Sequence, residues 1–330
     1  MVVSTNVPLR KLGQSALEIS ALGLGCWQFS KGRGMVGRFW AEMDQHDINE
    51  IVKMSLEGGI NWFDTAEVYG KGESEKALAE ALESIGLPAN DALIATKWWP
   101  MFRTASSITK TIDHRIEALD GRTIDLHQIH QPFSFSSVEK EMEAMVELLK
   151  ANKIKHVGVS NFNEDKMKKA HQVLSKHGYF LASNQVKYSL LDRSMEKNGV
   201  LEAAKQLGIT IIAYSPLEQG ILSGKFHKHP ELVKKIQGPR KYMSFFKPAG
   251  LAKTKPLIDL LEEKAKKYGV SQTQIALNWL IHFHGETVVA IPGASKPHHV
   301  QENIGALQFT LSKEDLDEID QVSRQVALFD

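Results

Sequence analysis

Eight short apolar runs recur along almost the whole chain, and they constrain its fold more than any other feature does. They cover residues 21–27, 60–64, 92–97, 125–130, 154–160, 182–188, 209–215 and 287–292. From the second run to the seventh, successive runs begin roughly 27 to 33 residues apart, the length of a strand, a helix and the next parallel strand. The last gap is much longer. This spacing predicts eight strands connected by helices.

The stretches between these runs have the helical period. In residues 77–85 and 138–149, apolar side chains recur three and four positions apart and would lie on one face of a helix. Eight alternations indicate a closed parallel barrel, with an open doubly wound sheet as the alternative. No strand is followed by Gly-x-Gly-x-x-Gly, because Gln28 stands where a third glycine would follow Gly23 and Gly25. We therefore predict one (β/α)8 TIM barrel over residues 1–330.

Two segments depart from the repeat. Residues 10–20, with a Gly-Gln pair between two β-like runs, predict an N-terminal β-hairpin under the barrel floor. Residues 217–255 predict a long loop after strand seven, before the C-terminal helices, and carry nine Lys or Arg against two Glu, a net charge of +7. Most charge runs are solvated surface, but loops after strands seven and eight of such barrels often bind phosphate. Pro297 also begins a helix whose free N–H groups would face an anion.

The composition narrows the classes of function. The chain has 40 Lys and Arg against 39 Asp and Glu, so no overall field attracts nucleic acid or anionic lipid. The single cysteine, Cys26, excludes an intramolecular disulfide and a cysteine-based zinc cluster. The sequence has neither a membrane-spanning apolar run nor the apolar core of a signal peptide. We expect a cytoplasmic protein without nucleic-acid or membrane partners, of undetermined oligomeric state.

Polar side chains end several of the predicted strands. In barrels of this type the active site lies at the C-terminal ends of the strands. Asp64, Lys97 and His130 end three consecutive strands, and Tyr69 follows Asp64 by five residues. For any one of them the start of a polar loop is a sufficient explanation. Together, an Asp, a Lys, a Tyr and a His make a proton-transfer group.

Tyr69 is the candidate acid of this group. A free tyrosine titrates at about pH 10, and a nearby ammonium such as that of Lys97 would lower the pKa of Tyr69. Partial burial would favour neutral Lys97, whereas an ionised Asp64 would hold it charged. His130 would hydrogen-bond a carbonyl oxygen and orient it.

These residues lie in motifs that resemble the aldo-keto reductase superfamily. The motifs are GINWFDTAEVYG at residues 59–70, ATK at 95–97, IHQP at 129–132, GVSNF at 158–162, NQ at 184–185 and IPGAS at 291–295. The resemblance implies NADPH-dependent reduction of a small aldehyde or ketone. It also implies a catalytic tetrad of Asp64, Tyr69, Lys97 and His130, with Tyr69 as the proton donor.

The same resemblance implies a dinucleotide site. Ser160, Asn161 and Gln185 would hold the nicotinamide carboxamide, and Tyr214 would stack on the ring. The residues at 215–225 would follow the pyrophosphate, and those at 295–303 would surround the adenosine. The complete implied set is Gly25, Trp27, Asp64, Ser160, Asn161, Gln185, Tyr214, Ser215, Pro216, Leu217, Gln219, Gly220, Leu222, Gly224, Lys225, Gly293, Ser295, Lys296, His299, Glu302 and Asn303.

The chain departs from the family pattern at the adenosine end. Many members have a basic residue where Gly293 stands and an arginine where His299 stands, and both contact the 2′-phosphate of NADP. Ser295 and Lys296 remain for this contact. Because histidine is mostly neutral at pH 7, we expect weaker phosphate binding than arginine gives. NADPH is the expected cofactor, and NAD is a weaker alternative.

Four aromatic residues follow strands one, three and four. Trp27, Phe29, Trp98 and Phe133 would line an apolar substrate pocket suited to medium-sized apolar or aromatic carbonyls, with core packing as the alternative. The loop at residues 30–45 would shape its opening.

Other functions are disfavoured. A cofactor-sensing regulatory subunit like the potassium-channel β subunits is the main alternative, although only a short segment precedes the first family-like position. His127 and His130 face opposite sides of a strand, so we predict no metal site there or elsewhere. Tyr242, Phe245 and Phe246 in the basic loop would suit nucleic-acid stacking, which we consider remote.

Overall fold

The eight apolar runs form eight parallel strands of one sheet. A computed structural model of the chain describes residues 7–37, 39–88, 91–236 and 242–327. The strand order follows the sequence order, and every neighbouring pair is parallel. The strands are β3 (Leu24–Gly25), β4 (Trp62–Asp64), β5 (Leu93–Trp98), β6 (Leu126–Ile129), β7 (His156–Ser160), β8 (Leu181–Lys187), β9 (Thr210–Tyr214) and β10 (Val288–Ala290).

The first and last strands of this sheet meet and close it. Parallel bridges pair Leu22 with Ala290 and Gly25 with Gly293. The Gly23 N–H also donates to the Ala290 carbonyl at 2.8 Å. Closure removes both sheet edges, which is the defining property of a barrel. The predicted (β/α)8 fold is confirmed.

Helices connect the strands and cover the barrel. Side chains of Asp44, Ser137, Asn163, Ser271 and Ser312 accept backbone N–H bonds at the N-terminal ends of five of them, as sequence preferences for helix starts predict. None of the helices in the described ranges combines the length and apolar character of a bilayer-spanning helix. The helices are α1 (Gly34–Gly37), α2 (Gln45–Glu57), α3 (Glu73–Ser84), α4 (Ser106–Ala118), α5 (Val138–Lys150), α6 (Glu164–Lys176), α7 (Ser194–Lys197), α8 (Val200–Leu207), α9 (Lys225–Lys228), α10 (Pro248–Tyr268), α11 (Gln272–His282), α12 (Pro297–Gly305) and α13 (Lys313–Val326).

A hairpin covers the floor of the barrel, as predicted. Its strands are β1 (Leu9–Lys11) and β2 (Glu18–Ser20), which pair antiparallel. At its turn Gly13 has φ +58°, and a Cβ there would lie 2.6 Å from the Ala182 carbonyl oxygen, so only glycine fits this approach. Trp62 fills the barrel above the hairpin and donates its Nε1–H to the Ser20 carbonyl at 2.9 Å. The opposite end of the barrel is left for the site.

The basic segment at residues 217–255 is more ordered than a loop. It contains α9 and the first turns of α10, besides short 3-10 turns. Phe245 and Phe246 are buried, and the Phe246 ring packs on Phe226 and on Phe245 with ring centroids 5.0 and 4.8 Å apart. Two buried rings are not available for base stacking, so this part of the nucleic-acid hypothesis was wrong. Arg240 and Lys241 lie outside the described residues.

Candidate active site

A cavity of about 820 Å³ opens at the C-terminal ends of the strands. This size lies within the usual range of ligand pockets, and the position is the one that barrels of this type use for catalysis. Residues 40–43, after β3, line one side. Residues 215–217, 219–220 and 235–236, after β9, line another side, and several residues between 291 and 303 line a third.

A buried ion pair lies at the inner end of the cavity. The Lys97 ammonium donates to an Asp64 carboxylate oxygen and, at 2.9 Å, to the Thr65 carbonyl. The Lys97 and Asp64 side chains are 0% and 1% exposed. Since removing one charge of such a pair leaves the other buried without its partner, the two residues form one electrostatic unit.

Tyr69 lies directly above this pair. The Lys97 Nζ is 5.2 Å from the centroid of the Tyr69 ring. Trp27 stacks on the Tyr69 ring at a centroid distance of 5.9 Å, and His130 meets it edge-on at 5.6 Å. The following Gly70 has φ +67°, and a Cβ there would lie 2.6 Å from the Ser30 carbonyl oxygen, so glycine is required for this turn. The structure thus brings the four predicted residues together.

The direction of the Tyr69 pKa shift differs from our expectation. Burial, followed by the negative charge of Asp64, raises the pKa of Tyr69 well above 10. We expected the Lys97 ammonium to lower it, but that charge is directly paired with Asp64, and burial outweighs what remains. Tyr69 is therefore protonated at neutral pH and can donate a proton.

His130 is a neutral hydrogen-bonding group. Burial, and then the charge of Lys97, lowers the pKa of His130 well below 6.5. Its Nδ1 is buried and has no hydrogen-bond partner among the described residues. Trp99 packs edge-on against the imidazole with ring centroids 5.1 Å apart and fixes its plane. His127, on β6, does not line the cavity, and burial, followed by the charge of Arg115, lowers the pKa of His127 to about 3.

Hydrogen bonds link the residues expected at the nicotinamide. The Tyr214 phenol donates to Asn161 Oδ1 at 3.1 Å, and Asn161 Nδ2 donates to Ser160 Oγ at 3.2 Å. Ser160 Oγ in turn donates to the Gln185 carbonyl at 2.9 Å. All four residues line the cavity. Asn161 has φ +59°, a conformation that asparagine tolerates better than most residues.

The turn after β9 is strained at the cavity wall. Ser215, Glu218 and Gln219 have φ of 52°, 44° and 56°, a region that side chains rarely adopt. Of the residues expected along the pyrophosphate, Ser215, Pro216, Leu217, Gln219, Gly220 and Lys225 line the cavity. Leu222 and Gly224, also expected there, are not among the residues that line it. Leu222 is buried in the core, and Gly224 packs against Gln272.

The predicted adenosine-end residues also gather at one rim of the cavity. Ser295, Lys296, His299, Glu302 and Asn303 all line it. The Ser295 N–H donates to His299 Nδ1 at 3.2 Å, which leaves Nε2 to carry the proton of a neutral ring. Burial, with the neighbouring charges of His298, Lys225 and Lys296, lowers the pKa of His299 to about 4. Lys296 forms an ion pair with Asp47 at 3.4 Å.

Gly293 leaves room for a neighbouring amide. A Cβ at Gly293 would lie 2.2 Å from Gln28 Nε2. Gln28 therefore occupies the space that a basic side chain at position 293 would need. The local packing accounts for the departure from the family pattern that the sequence revealed.

The structure places one of the four aromatic residues predicted for the substrate pocket at the cavity. Trp27 lines the cavity, but Phe29 and Trp98 are buried in the core, and Phe133 is exposed outside the cavity wall. Trp98 follows the inward-facing Lys97 on β5, so strand alternation turns it outward. Trp99, two residues after Lys97, faces the cavity instead. The alternation of side chains along β5 is the sequence signal that identifies Trp99.

Several wall residues carry no motif in the sequence. Among them are Gln28, Trp40, Glu42, Asp47, Phe226, Lys235 and Thr273. Within the described ranges, no three His, Cys, Asp or Glu side chains are grouped as metal ligands would be.

Known proteins resemble this chain over nearly its full length. The model of the Aldo/keto reductase family matches residues 21–324. Probable aldo-keto reductase 1 of Glycine max is 31% identical over 320 residues, covering 94% of this chain and 87% of its own. The chloroplastic pyridoxal reductase of Arabidopsis thaliana is also 31% identical over 320 residues, covering 93% of this chain and 84% of its own.

Solved structures share the fold. The glycerol dehydrogenase of Gluconobacter oxydans superposes with a TM-score of 0.84 at 27% identity, covering 98% of this chain and 97% of its own. A thermostable aldo-keto reductase in complex with the inhibitor epalrestat gives a TM-score of 0.74 at 29% identity, covering 96% of this chain and 99% of its own. With a family match over most of its length, the chain belongs to the aldo/keto reductase family of oxidoreductases.

Proposed function

We propose that this protein reduces aldehydes or ketones to alcohols with NADPH as the hydride donor. The observation that carries the proposal is the convergence of Tyr69, Lys97, Asp64 and His130 at the inner end of a ligand-sized cavity. A protonated phenol beside an ammonium is suited to giving a proton to a carbonyl oxygen.

The cavity wall suits a dinucleotide. Asn303 Nδ2 and Gln219 Oε1 are buried there without a hydrogen-bond partner among the described residues. Buried polar atoms are costly to leave unpaired, so each calls for a polar ligand atom. The basic side chains of Lys225, Lys235 and Lys296 line the same cavity and favour an anionic ligand.

At the inner end, amide and hydroxyl groups are available to the nicotinamide. Ser160, Asn161 and Gln185 would hold its carboxamide, and the ring of Tyr214 would face its plane. The bound reduced nicotinamide would supply a hydride to the carbonyl carbon of the substrate.

Each member of the tetrad has a role in moving the proton. Tyr69 gives its phenolic proton to the carbonyl oxygen, the alcohol leaves, and the phenolate recovers a proton from water. Lys97, 5.2 Å from the ring centroid, stabilises the phenolate. Asp64 holds Lys97 in place. His130, neutral and buried, donates an N–H to the carbonyl oxygen and orients it.

The test is optical. Purified protein is mixed with NADPH and a panel of aromatic and aliphatic aldehydes, ketones and quinones, and cofactor oxidation is followed. The panel includes pyridoxal, because one relative is a pyridoxal reductase. We expect turnover of at least about one per second on some compound. Because Trp27 and Trp99 line the site, aromatic carbonyls should react faster than sugars. Turnover below about one per minute on every compound would instead favour a cofactor-sensing subunit.

His299→Ala should weaken NADPH binding and leave NADH binding nearly unchanged. In the proposed site the neutral imidazole donates its Nε2–H to the 2′-phosphate, which only NADPH carries. Loss of a hydrogen bond to a charged group costs about 1.5 kcal/mol, or about tenfold in the dissociation constant. Fluorescence titration with both cofactors measures it. Equal weakening of both would remove His299 from the phosphate site.

Asp47→Asn should strengthen NADPH binding by about two- to fivefold. Asp47 pairs with Lys296 at 3.4 Å on the cavity rim, so its carboxylate competes with a phosphate for that ammonium. The Lys296 side chain is 60% exposed, so the effect is modest and should shrink at high salt. Glu57→Gln, at the other end of α2, is the matched control. Unchanged NADPH affinity, or an equal gain for NADH, would contradict the competition.

A further inference from the structure

We propose that Gln128 is a positioning residue for proton transfer: it holds the Asp64 carboxylate against Lys97 when Gln185 turns to the cofactor. The inference rests on the proposed function, because it concerns the same proton donor. None of the motifs in the sequence singles out Gln128.

The two carboxylate oxygens of Asp64 accept hydrogen bonds from different donors. Oδ1 receives Lys97, whereas Oδ2 accepts from Gln128 Nε2 at 3.1 Å and from Gln185 Nε2 at 2.9 Å. The two amides also meet each other, because Gln185 Nε2 lies 3.4 Å from Gln128 Oε1. Gln128 is 0% exposed and Gln185 is 3% exposed. The three side chains and Lys97 form one buried network.

The barrel interior makes space for this network. Gln128 on β6 pairs in register with Gly158 on β7. A Cβ at Gly158 would lie 3.0 Å from Gln128 Cγ and 2.4 Å from Ser183 Oγ. Interiors of such barrels are mostly filled by branched apolar side chains. Because Gly158 makes room for a buried amide instead, we infer that the amide of Gln128 is there to form hydrogen bonds.

Because Asp64 Oδ2 has two hydrogen-bond donors, it keeps one of them when the other is withdrawn. Gln185 lines the cavity and is expected to bind the nicotinamide carboxamide, which draws its amide away from Asp64. Gln128 lies below the cavity wall and keeps its bond to Oδ2. The carboxylate then stays oriented with Oδ1 on Lys97, which in turn faces Tyr69. Without Gln128, Oδ2 is left without a donor and the carboxylate is free to turn.

Gln128→Met tests this inference, because methionine keeps the length and removes the donor. We expect kcat to fall about tenfold or more, with the NADPH dissociation constant changed less than twofold. The alkaline limb of the kcat profile should move to lower pH. Less carboxylate charge then faces Tyr69, whose pKa the charge of Asp64 raises, so Tyr69 loses its proton at a lower pH. The other titratable groups that interact with Tyr69 or Lys97 are His130, Glu75, Cys26 and Tyr214. The pKa of His130 lies well below 6.5, that of Glu75 is raised to about 7, that of the Cys26 thiol lies well above 9 and that of Tyr214 is raised to about 12. Because all four groups are present in both enzymes, the difference between the two profiles is assigned to Tyr69.

Gln128→Glu adds a signature that packing alone does not produce. A glutamic acid donates to Asp64 only when it is protonated, so kcat of this variant should recover toward wild type as pH falls. His127→Leu is the matched control, since His127 is buried on the same strand but faces the opposite side of the barrel wall. This control should change thermal stability without moving the pH profile.

Two results would overturn the inference. One is a Gln128→Met enzyme with wild-type kcat and pH profile. The other is an equal loss of kcat in Gln128→Met and in the His127→Leu control, with the pH profile of kcat unshifted in both. If the wild-type protein turns over no carbonyl, the proposed function fails. Crystal structures then test separately whether Gln128 holds the Asp64 carboxylate in place. In Gln128→Met with NADPH bound, Asp64 should be rotated away from Lys97, and an unchanged Asp64 would refute the role of Gln128.

Discussion

Tyr69→Phe is expected to lower kcat for carbonyl reduction by about a thousandfold, while the NADPH dissociation constant changes less than twofold. A positioned general acid contributes about 10² to 10⁴ in rate. The ring of Tyr69 stacks on Trp27 and meets His130 edge-on, and phenylalanine keeps both contacts. Only the proton donor is lost. Stopped-flow and steady-state assays, with a fluorescence titration for the cofactor, measure the two quantities.

The control for this variant is Tyr268→Phe, which removes a phenol bonded to Asp315 far from the cavity. It should retain full activity with some loss of stability. A fully active Tyr69→Phe enzyme would remove Tyr69 as proton donor. If the variant no longer binds NADPH, the phenol is needed for cofactor binding, and the loss of rate is no evidence that Tyr69 donates a proton.

The second large effect concerns the Asp64 and Lys97 pair. Asp64→Asn and Lys97→Met should each lower the free energy of unfolding by about 3 to 5 kcal/mol, because each leaves one buried charge without its partner. The double variant should be more stable than either single variant, since it buries no charge. All three variants should lose at least about a hundredfold in kcat, because the phenolate of Tyr69 is no longer stabilised.

Denaturant unfolding of the four proteins gives a double-mutant cycle that isolates the coupling between the two residues. A double variant whose loss equals the sum of the single losses would show that the pair is not coupled. Recovery of activity together with stability in the double variant would contradict the electrostatic role of the pair in proton transfer. The two readouts therefore separate folding from chemistry.

The eight strands could be predicted because parallel strands are buried on both faces and form nearly continuous apolar runs. The residue at the end of each run was informative for the same reason, since all C-terminal ends meet at one mouth. Asp64, Lys97 and His130 followed from this rule. The prediction of the first strand was too long, because β3 covers only Leu24–Gly25, while Leu22 pairs through a single bridge and Trp27 begins a 3-10 turn.

The aromatic wall was the least predictable part of the site. Whether Trp98 or Trp99 faces the cavity depends on where β5 ends and on its inward face, and the predicted strand ended one residue early. The wall residues Trp40 and Glu42 come from the long connection between β3 and α2, whose path depends on contacts distant in sequence. No periodicity in that connection indicates which side chain reaches the cavity.

The sequence alone determined which elements form, in which order, and which polar residues end the strands, because these properties follow from local hydrophobic periodicity. The tertiary structure alone decided the electrostatics. Tyr69 is held protonated because burial and Asp64 outweigh an ammonium already paired. Gln128 acquires its two partners only when β4, β6 and β8 converge inside the barrel. Charges act through distance and burial, and neither quantity can be read along the chain.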